Sequence, residues 1–124
     1  MTNSESLHEM EEPPIAALLF IRDIEHRFAP AWLGGQSEAA QMRIVRARAK
    51  QEHLVLKSFF VAFYLHGEYS PDDRLASMLR IVDEVGVQRL YVTRAPFAHD
   101  SHHTVMAYTA ALKAKGAELI ICDD

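Results

Sequence analysis

Three histidines and an aspartate fall within the short stretch HDSHH, at His99, Asp100, His102 and His103. Imidazole nitrogens and carboxylates are donor types that bind transition metals or transfer protons. A metal pair on a helix needs a spacing of three or four residues, which His99 and His102 have, but His99 precedes the predicted helix. With Asp100 as the N-cap, His102 and His103 form an exposed first turn, and no second ligand cluster stands nearby in sequence. We therefore predict no metal site and no bound cofactor.

A second set of reactive side chains follows the two strands predicted in the C-terminal half. Thr93 and Arg94 end the first strand, His99 lies in the loop after it, and Cys122 and Asp123 end the second. Ligands of parallel α/β sheets collect at the carboxyl ends of the strands, so these residues could converge, with Cys122 as nucleophile and His99 as base. Against this, no glycine-rich phosphate loop follows the first strand, and a lone strand thiol is usually a small buried apolar group. We expect no catalytic residue, and a small enzyme or metal-dependent binding protein stays the alternative.

The segment after Ser37 carries a basic stripe. Its cations recur at steps of three and four residues, which places them on one face of a helix. They are Arg43, Arg46, Lys50, His53 and Lys57. Such a stripe can follow a phosphate backbone or an acidic protein surface, although a solvated helix face is the more common meaning. The formal net charge of -4 and the lack of aromatic residues within the stripe make nucleic acid the less favoured partner.

The length and composition of the chain indicate one domain with one core. Its 124 residues are 49% hydrophobic and 24% charged, as in ordinary globular proteins. Cys122 is the only cysteine, so no intrachain disulfide can form. The N-terminus is acidic and polar where a secretory signal needs basic and then apolar residues, and no apolar run is long enough for a membrane span. We expect a cytoplasmic protein without a membrane partner, with a mobile acidic tail at 1–12 and a single α/β domain at 13–124.

The pattern of the first half of this domain predicts helices. The segment IAALLFIRDIEHRF, which begins at Ile15, presents a broad apolar face that favours a helix. A buried strand over 15–21 is the alternative, which periodicity cannot exclude. Ser37 can cap a second helix that runs from 38 to 66 without an internal Pro or Gly. Its portion 54–65 is apolar nearly all round, which requires contacts on several sides.

The second half shows the pattern helix, strand, helix, strand. Ser70 is the predicted cap of its first helix, Pro71 occupies the first helical position, and Gly86 supplies the stop. A strand over QRLYVTR follows. A shift of thirty residues aligns Ser70 with Asp100 and Gly86 with Gly116, which predicts a second helix and a second strand. Strand, helix and strand in sequence require a parallel pair with a crossover connection.

These elements predict an α/β fold with a helical N-terminal half and a C-terminal parallel βαβ unit. Two strands are too few for an isolated sheet, so we predict a homodimer that completes the fold. The two copies either join their sheets edge to edge or pack the apolar halves of their long helices together. The surplus of apolar surface favours a non-enzymatic module that binds another protein. Its candidate anchors are Trp32, Leu33, Phe59, Phe60 and Phe63.

The chain also resembles a known protein family. It is short, an acidic tail runs into PPIAALLFIRDIEHRF, and the first half is rich in predicted helix. In these features it resembles the small, QslA-like anti-activators of pseudomonad quorum sensing. That resemblance implies a cytoplasmic protein of transcription regulation that sequesters a LuxR-type transcription regulator by covering its dimerisation surface. It carries over no functional residue, because no motif is matched residue by residue.

Overall fold

A computed structural model describes residues 14–22, 37–64 and 69–123, which form an α/β structure around a four-stranded parallel sheet. The elements are, in chain order, β1 (Ile15–Arg22), α1 (Glu38–Gln51), β2 (Phe59–Tyr64), α2 (Pro71–Val85), β3 (Arg89–Thr93), α3 (His102–Ala114) and β4 (Glu118–Cys122). The strand order is β2-β1-β3-β4. From β1 the chain goes first to β2 on one side and later to β3 on the other, so the strand order reverses between β1 and β3.

The segment 15–21 is a strand, and the helix that we predicted there is wrong. Residues from Ala16 to Ile21 are all at most 1% exposed, because β1 is a central strand with side chains packed on both faces. Leu18 and Phe20 pack on the face covered by α2 and α3, and Leu19 packs on the face covered by α1. A strand buried on both faces is apolar at every position. Such a continuous apolar run would also give a helix a broad apolar face, so the pattern fits both elements.

The long helix predicted from 38 to 66 is also wrong, because α1 ends at Gln51 and β2 begins at Phe59. His53 adopts a left-handed conformation with φ of 62°. Its N–H bonds the carbonyl of Lys50, and the next N–H, that of Leu54, bonds the carbonyl of Ala49, which together form a Schellman stop. Glycine normally occupies this left-handed position. Because a histidine stands there instead, the sequence carries no recognisable stop signal. In the part of the first half that the structure describes, the elements are therefore a strand, a helix and a strand, rather than helices alone.

The second half has the predicted order of elements. Ser70 and Asp73 form a capping box at the start of α2, and Gly86 ends it with φ of 76°. The helix α3 begins one residue later than predicted, because Ser101 is its N-cap and Asp100 has another role. Strands β3 and β4 pair in parallel, in the register that sets residue 89 opposite residue 118.

Several predictions concern residues outside the described ranges. The acidic tail 1–12 and the candidate anchors Trp32 and Leu33 lie there. Within the described ranges, no helix combines the length and the apolar character that crossing a bilayer requires.

Candidate functional site

The gap between the carboxyl ends of β1 and β3 is where ligands bind in open α/β sheets, and here a glutamine occupies it. Pairing between the two strands ends at Ala17, which lies opposite Tyr91. Farther along β1, the N–H of Phe20 donates to Oε1 of Gln41 at 2.9 Å, and Nε2 of Gln41 donates to the carbonyl of Phe20 at 2.8 Å. Gln41 is fully buried. Its amide therefore takes the place of a neighbouring strand and joins α1 to the centre of the sheet.

A buried ion pair joins the first turn of α2 to the segment before α3. Nη2 of Arg74 lies 2.5 and 2.7 Å from the carboxylate oxygens of Asp100, and the two side chains are only 5% and 7% exposed. The hydroxyl of Tyr108 donates to the same carboxylate at 2.8 Å. Nη1 of Arg74 donates to the carbonyl of Tyr69 at 2.7 Å, and the guanidinium lies over the rings of Tyr69 and Phe97. This cluster explains why Asp100 does not cap the helix.

The protonation states of this cluster follow from its contacts. Burial by itself would lower the pKa of Arg74, but the hydrogen bonds with Asp100 and Tyr108 outweigh it and the pKa is raised. Burial, followed by the hydrogen bond to Asp100, raises the pKa of Tyr108 to about 12. The guanidinium stays charged and is already paired, so we assign Arg74 a structural role instead of a ligand-binding one.

The three histidines of the HDSHH stretch lie on the surface. His99 is exposed in the turn before α3, and His102 and His103 are exposed in the first turn of that helix. No three potential metal ligands converge anywhere in the part of the chain that the structure describes. The exposed first turn is therefore as predicted, and the lack of a metal stays a prediction.

The structure brings together four of the five residues predicted to converge at the strand ends. Thr93 lies opposite Cys122 in the sheet, and both are 1% exposed. Arg94 and Asp123, the residues that follow them, form an exposed ion pair. Burial raises the pKa of the Cys122 thiol to about 11, so the thiol is protonated at neutral pH. Cys122 therefore has neither the access nor the ionisation that a nucleophile needs, and His99 lies in the exposed turn described above.

A polar network near the amino end of β3 fastens the end of α1 to the sheet. The hydroxyl of Tyr91 donates to Oε1 of Glu52 at 2.5 Å, and Arg89 donates to the same oxygen at 3.3 Å. Arg48 donates to the other oxygen of Glu52 at 2.9 Å. The Tyr91 hydrogen bond, followed by that of Arg48, lowers the pKa of Glu52. Burial, followed by the contact with Glu52, raises the pKa of Tyr91 to about 12. Both arginines are thus used within the fold.

The remaining cations of α1 form an exposed basic surface. We define it as Arg43, Arg46 and Lys50 on the helix, together with Lys57 in the segment that leads to β2; all four are exposed. The sequence predicted that Lys57 lies on the same helix. That prediction is wrong, because α1 has already ended before Lys57. The guanidinium of Arg46 lies 4.8 Å from the centre of the Phe59 ring. The basic surface therefore adjoins β2.

Strand β2 forms an apolar edge of the sheet. It pairs only with β1 among the described strands, so its other side has no neighbouring strand there. Phe59, Phe60 and Val61 are half-buried and Phe63 is 52% exposed. Phe63 is one of only four large apolar side chains that are exposed in the described residues. The three phenylalanines predicted as anchors therefore lie together, on an edge strand rather than on a helix.

A groove of about 370 Å³ runs between this edge and α2. Its lining combines apolar residues of β2 and α2 with two charged residues of α2. These are Phe60, Val61, Phe63, Ile81, Arg80 and Glu84. The lining of the groove is therefore mixed, with one cation and one anion beside the apolar side chains.

The chain matches no protein-family model, no curated protein and no solved structure. The assignment of the site residues consequently rests on the sequence and on the geometry of the structure. The predicted anchors Phe59, Phe60 and Phe63 lie on one edge strand, with Phe59 on the face of α1 and Phe60 on the face of α2. Gln41 and the Arg74–Asp100 pair, by contrast, were not foreseen. A signal for Gln41 was present, since it lies beside Ala40, Ile44 and Val45 on the buried face of α1. A signal for Arg74 was its position within an amphipathic helix that otherwise turns apolar residues inward.

Proposed function

We propose that this chain is a non-enzymatic, homodimeric module that binds another protein. The observation that carries the proposal is the apolar edge of β2, where Phe63 is 52% exposed beside a groove. An edge strand offers backbone donors and acceptors, and aromatic side chains on it supply the contact area from which interfaces gain most of their energy. Added strands are a common way in which an extended segment of a partner binds.

The partner that we propose is a LuxR-type transcription regulator. The proposal rests on the resemblance to QslA-like anti-activators, in which the regulator is held by covering its dimerisation surface. The β2 edge supports this partner physically, because an apolar strand edge can cover the dimerisation surface of the regulator in place of the regulator's second subunit. The module then acts in the cytoplasm and lowers transcription by removing the regulator from its operator.

The state of the reactive side chains also supports binding rather than catalysis. The Cys122 thiol is buried with a pKa of about 11, and Arg74 is paired with Asp100. Gln41 fills the position where a ligand would enter between β1 and β3. Cys122, Arg74 and Gln41 are thus engaged in holding the fold together.

The test uses purified regulator and its operator DNA in a mobility-shift assay. We expect the wild-type chain to release the regulator from DNA, and Phe63→Ser to weaken this effect about tenfold or more, because an exposed aromatic anchor is lost. Met106→Ser is the matched control, since Met106 is 56% exposed but lies on α3. Equal loss in both variants, or no effect of the wild-type chain, would show that the regulator does not bind the β2 edge.

The basic surface favours a second candidate function, which is binding to nucleic acid. Arg43, Arg46 and Lys50 are exposed along one face of α1 and Lys57 extends the surface. Fluorescence anisotropy with labelled duplex DNA at several salt concentrations would test it. If this function is correct, Arg46→Glu with Lys50→Glu reduces affinity and flattens the salt dependence, while Phe63→Ser does neither.

A further inference from the structure

Three cations of the basic surface have no carboxylate partner among the described residues. They are Arg46, Lys50 and Lys57, and all three are exposed. The acidic side chain nearest to them along the chain, Glu52, is already engaged in the polar network at β3. Most other cations of the described residues form ion pairs, namely Arg48, Arg74, Arg80, Arg89, Arg94 and Lys115. The fold therefore leaves a local excess of positive charge on this surface.

The opposite charge is concentrated in residues 1–12. This acidic tail contains four glutamates, Glu5, Glu9, Glu11 and Glu12, and no lysine or arginine. When these four are set aside, the 17 acidic side chains of the chain become 13, which equals the number of its lysines and arginines. The formal net charge of -4 is therefore the charge of the acidic tail.

The end of α1 lies near the point at which the chain enters β1. Ile15, the first residue of β1, lies opposite Arg89. Arg89 donates to Glu52, which directly follows α1. Lys50 belongs to the last turn of that helix. It therefore lies near the amino end of β1.

Lys57 lies near the same point. Ala17 is opposite Phe59, and the N–H of Ala17 donates to the carbonyl of Ser58. Two residues earlier in both strands, this register brings Lys57 level with Ile15. The acidic tail ends three residues before Ile15, so it joins the fold close to both lysines.

The tail is long enough to follow the basic surface. An extended chain spans about 3.3 Å per residue, so Glu9 reaches up to roughly 20 Å from Ile15. The step from Lys50 to Arg46 is about one helical turn, or roughly 6 Å. The last three glutamates of the tail can therefore reach all three cations without any change in the fold.

We propose that the acidic tail docks on the basic surface of the same chain. Its last three glutamates, Glu9, Glu11 and Glu12, then pair with the three cations named above. Exposed ion pairs are individually weak. A tethered segment meets its site at an effective concentration of about a millimolar, however, so that several weak pairs together are enough to hold it.

Docking gives the tail a regulatory role, which rests on the second candidate function, binding to nucleic acid. The docked tail covers the cations that a phosphate backbone would contact. It therefore acts as a tethered competitor, which a polyanion must displace before it binds. The docking itself is argued from charge and position and needs no nucleic acid for its test.

Carbodiimide cross-linking of the full chain tests the docking, because this reagent joins a carboxylate to an amine that touches it. Lys113 is the matched control. It is exposed, has no carboxylate partner among the described residues, and lies on α3, on the other face of the sheet from α1. It also lines a groove with Gln88, whose N–H donates to the carbonyl of Pro14, so the tail can reach it as well.

At low ionic strength, mass spectrometry should find the tail glutamates linked to Lys50 and Lys57 at least about fivefold more often than to Lys113, because several ion pairs act together. Salt at about 1 M shortens the screening length to about 3 Å and should remove this preference. Equal linking to all three lysines, or a preference that salt does not change, would overturn the proposal. So would links found only in a covalent species of twice the 14.0 kDa chain mass, because the tail of a second copy would then be the occupant.

Binding of labelled duplex DNA tests the regulatory role. Replacing Glu9, Glu11 and Glu12 by glutamine in the full chain should raise the affinity about threefold or more at low salt, because the competitor is lost. The control variant has the same change in charge on α2, where Asp72→Asn, Asp83→Asn and Glu84→Gln replace exposed acidic residues. An equal rise in both variants would overturn the regulatory role. If no variant binds DNA, the nucleic-acid function is rejected, while the cross-linking result still decides the docking.

Discussion

Removing the carboxylate of Asp100 should strongly destabilise the fold. The change Asp100→Ala leaves the guanidinium of Arg74 charged and buried, with the side chain 5% exposed. It also removes the acceptor of the Tyr108 hydroxyl. Breaking a buried ion pair by removing one partner costs about 3–5 kcal/mol, because the other charge stays buried without compensation. We expect the free energy of unfolding to fall by that amount.

The assay is equilibrium unfolding in urea, with thermal unfolding as a second measurement. For a chain of this size, a loss of about 3–5 kcal/mol corresponds to a fall of roughly 10–20 °C in the midpoint temperature. Glu84→Ala is the matched control, because Glu84 forms an exposed ion pair with Arg80. Exposed pairs contribute about 0–1 kcal/mol, so this control should shift the midpoint little.

A double variant separates loss of the pair from loss of packing. Arg74→Met with Asp100→Ala removes both charges, so it should be more stable than Asp100→Ala alone, even though the Tyr108 hydroxyl still lacks its acceptor. Two results would refute the reasoning. One is a loss below about 1 kcal/mol for Asp100→Ala, which is the value of an exposed pair. The other is a double variant no more stable than the single one.

Three further predictions concern the other buried groups and the exposed histidines. Gln41→Leu should cost about 2–4 kcal/mol in urea unfolding, because it leaves the N–H and the carbonyl of Phe20 without partners, and a loss below 1 kcal/mol would contradict this. Tyr91 and Tyr108 have pKa values of about 12 in the folded chain against 10.0 unfolded, so their contribution to stability should be constant below pH 10 and be lost as the pH rises toward 12, in addition to the loss from the buried Cys122 thiol that begins near its unfolded pKa of 9.0; unfolding midpoints that do not fall between pH 10 and 12 would count against the buried hydroxyls. Finally, elemental analysis should find no stoichiometric transition metal, and metal that is lost on changing His99 and His102 to Ala would disprove the exposed-turn interpretation.

The elements of the second half could be predicted from local sequence. Ser70, Asp73 and Gly86 interact with their own helix, so their effect depends on neighbours in sequence and not on the rest of the fold. The same holds for Ser37, which accepts a hydrogen bond from the N–H three residues later. Such signals are readable without tertiary structure because every partner lies within one helical turn.

The first half could not be predicted in this way. The end of α1 depends on His53 in a left-handed conformation, where the sequence has no glycine to indicate a stop. The strand β1 and the apolar run before Tyr64 were assigned to helices, because burial on both faces removes the alternation that identifies a strand. Their neighbours in the sheet, distant in sequence, determine that they are strands.

Local sequence was enough to predict an α/β fold, Ser37 and Ser70 as helix caps, and the aromatic character of residues 59–63, but not the cap of α3, which is Ser101. The contacts that these residues make depend on the packing of distant segments. That packing placed Phe59 and Phe63 on an edge strand, paired Arg74 with Asp100 across 26 positions, and put the amide of Gln41 against the backbone of Phe20. The physical reason is that caps and turns gain their free energy from local hydrogen bonds, whereas burial, ion pairing and strand neighbours depend on which distant segments meet.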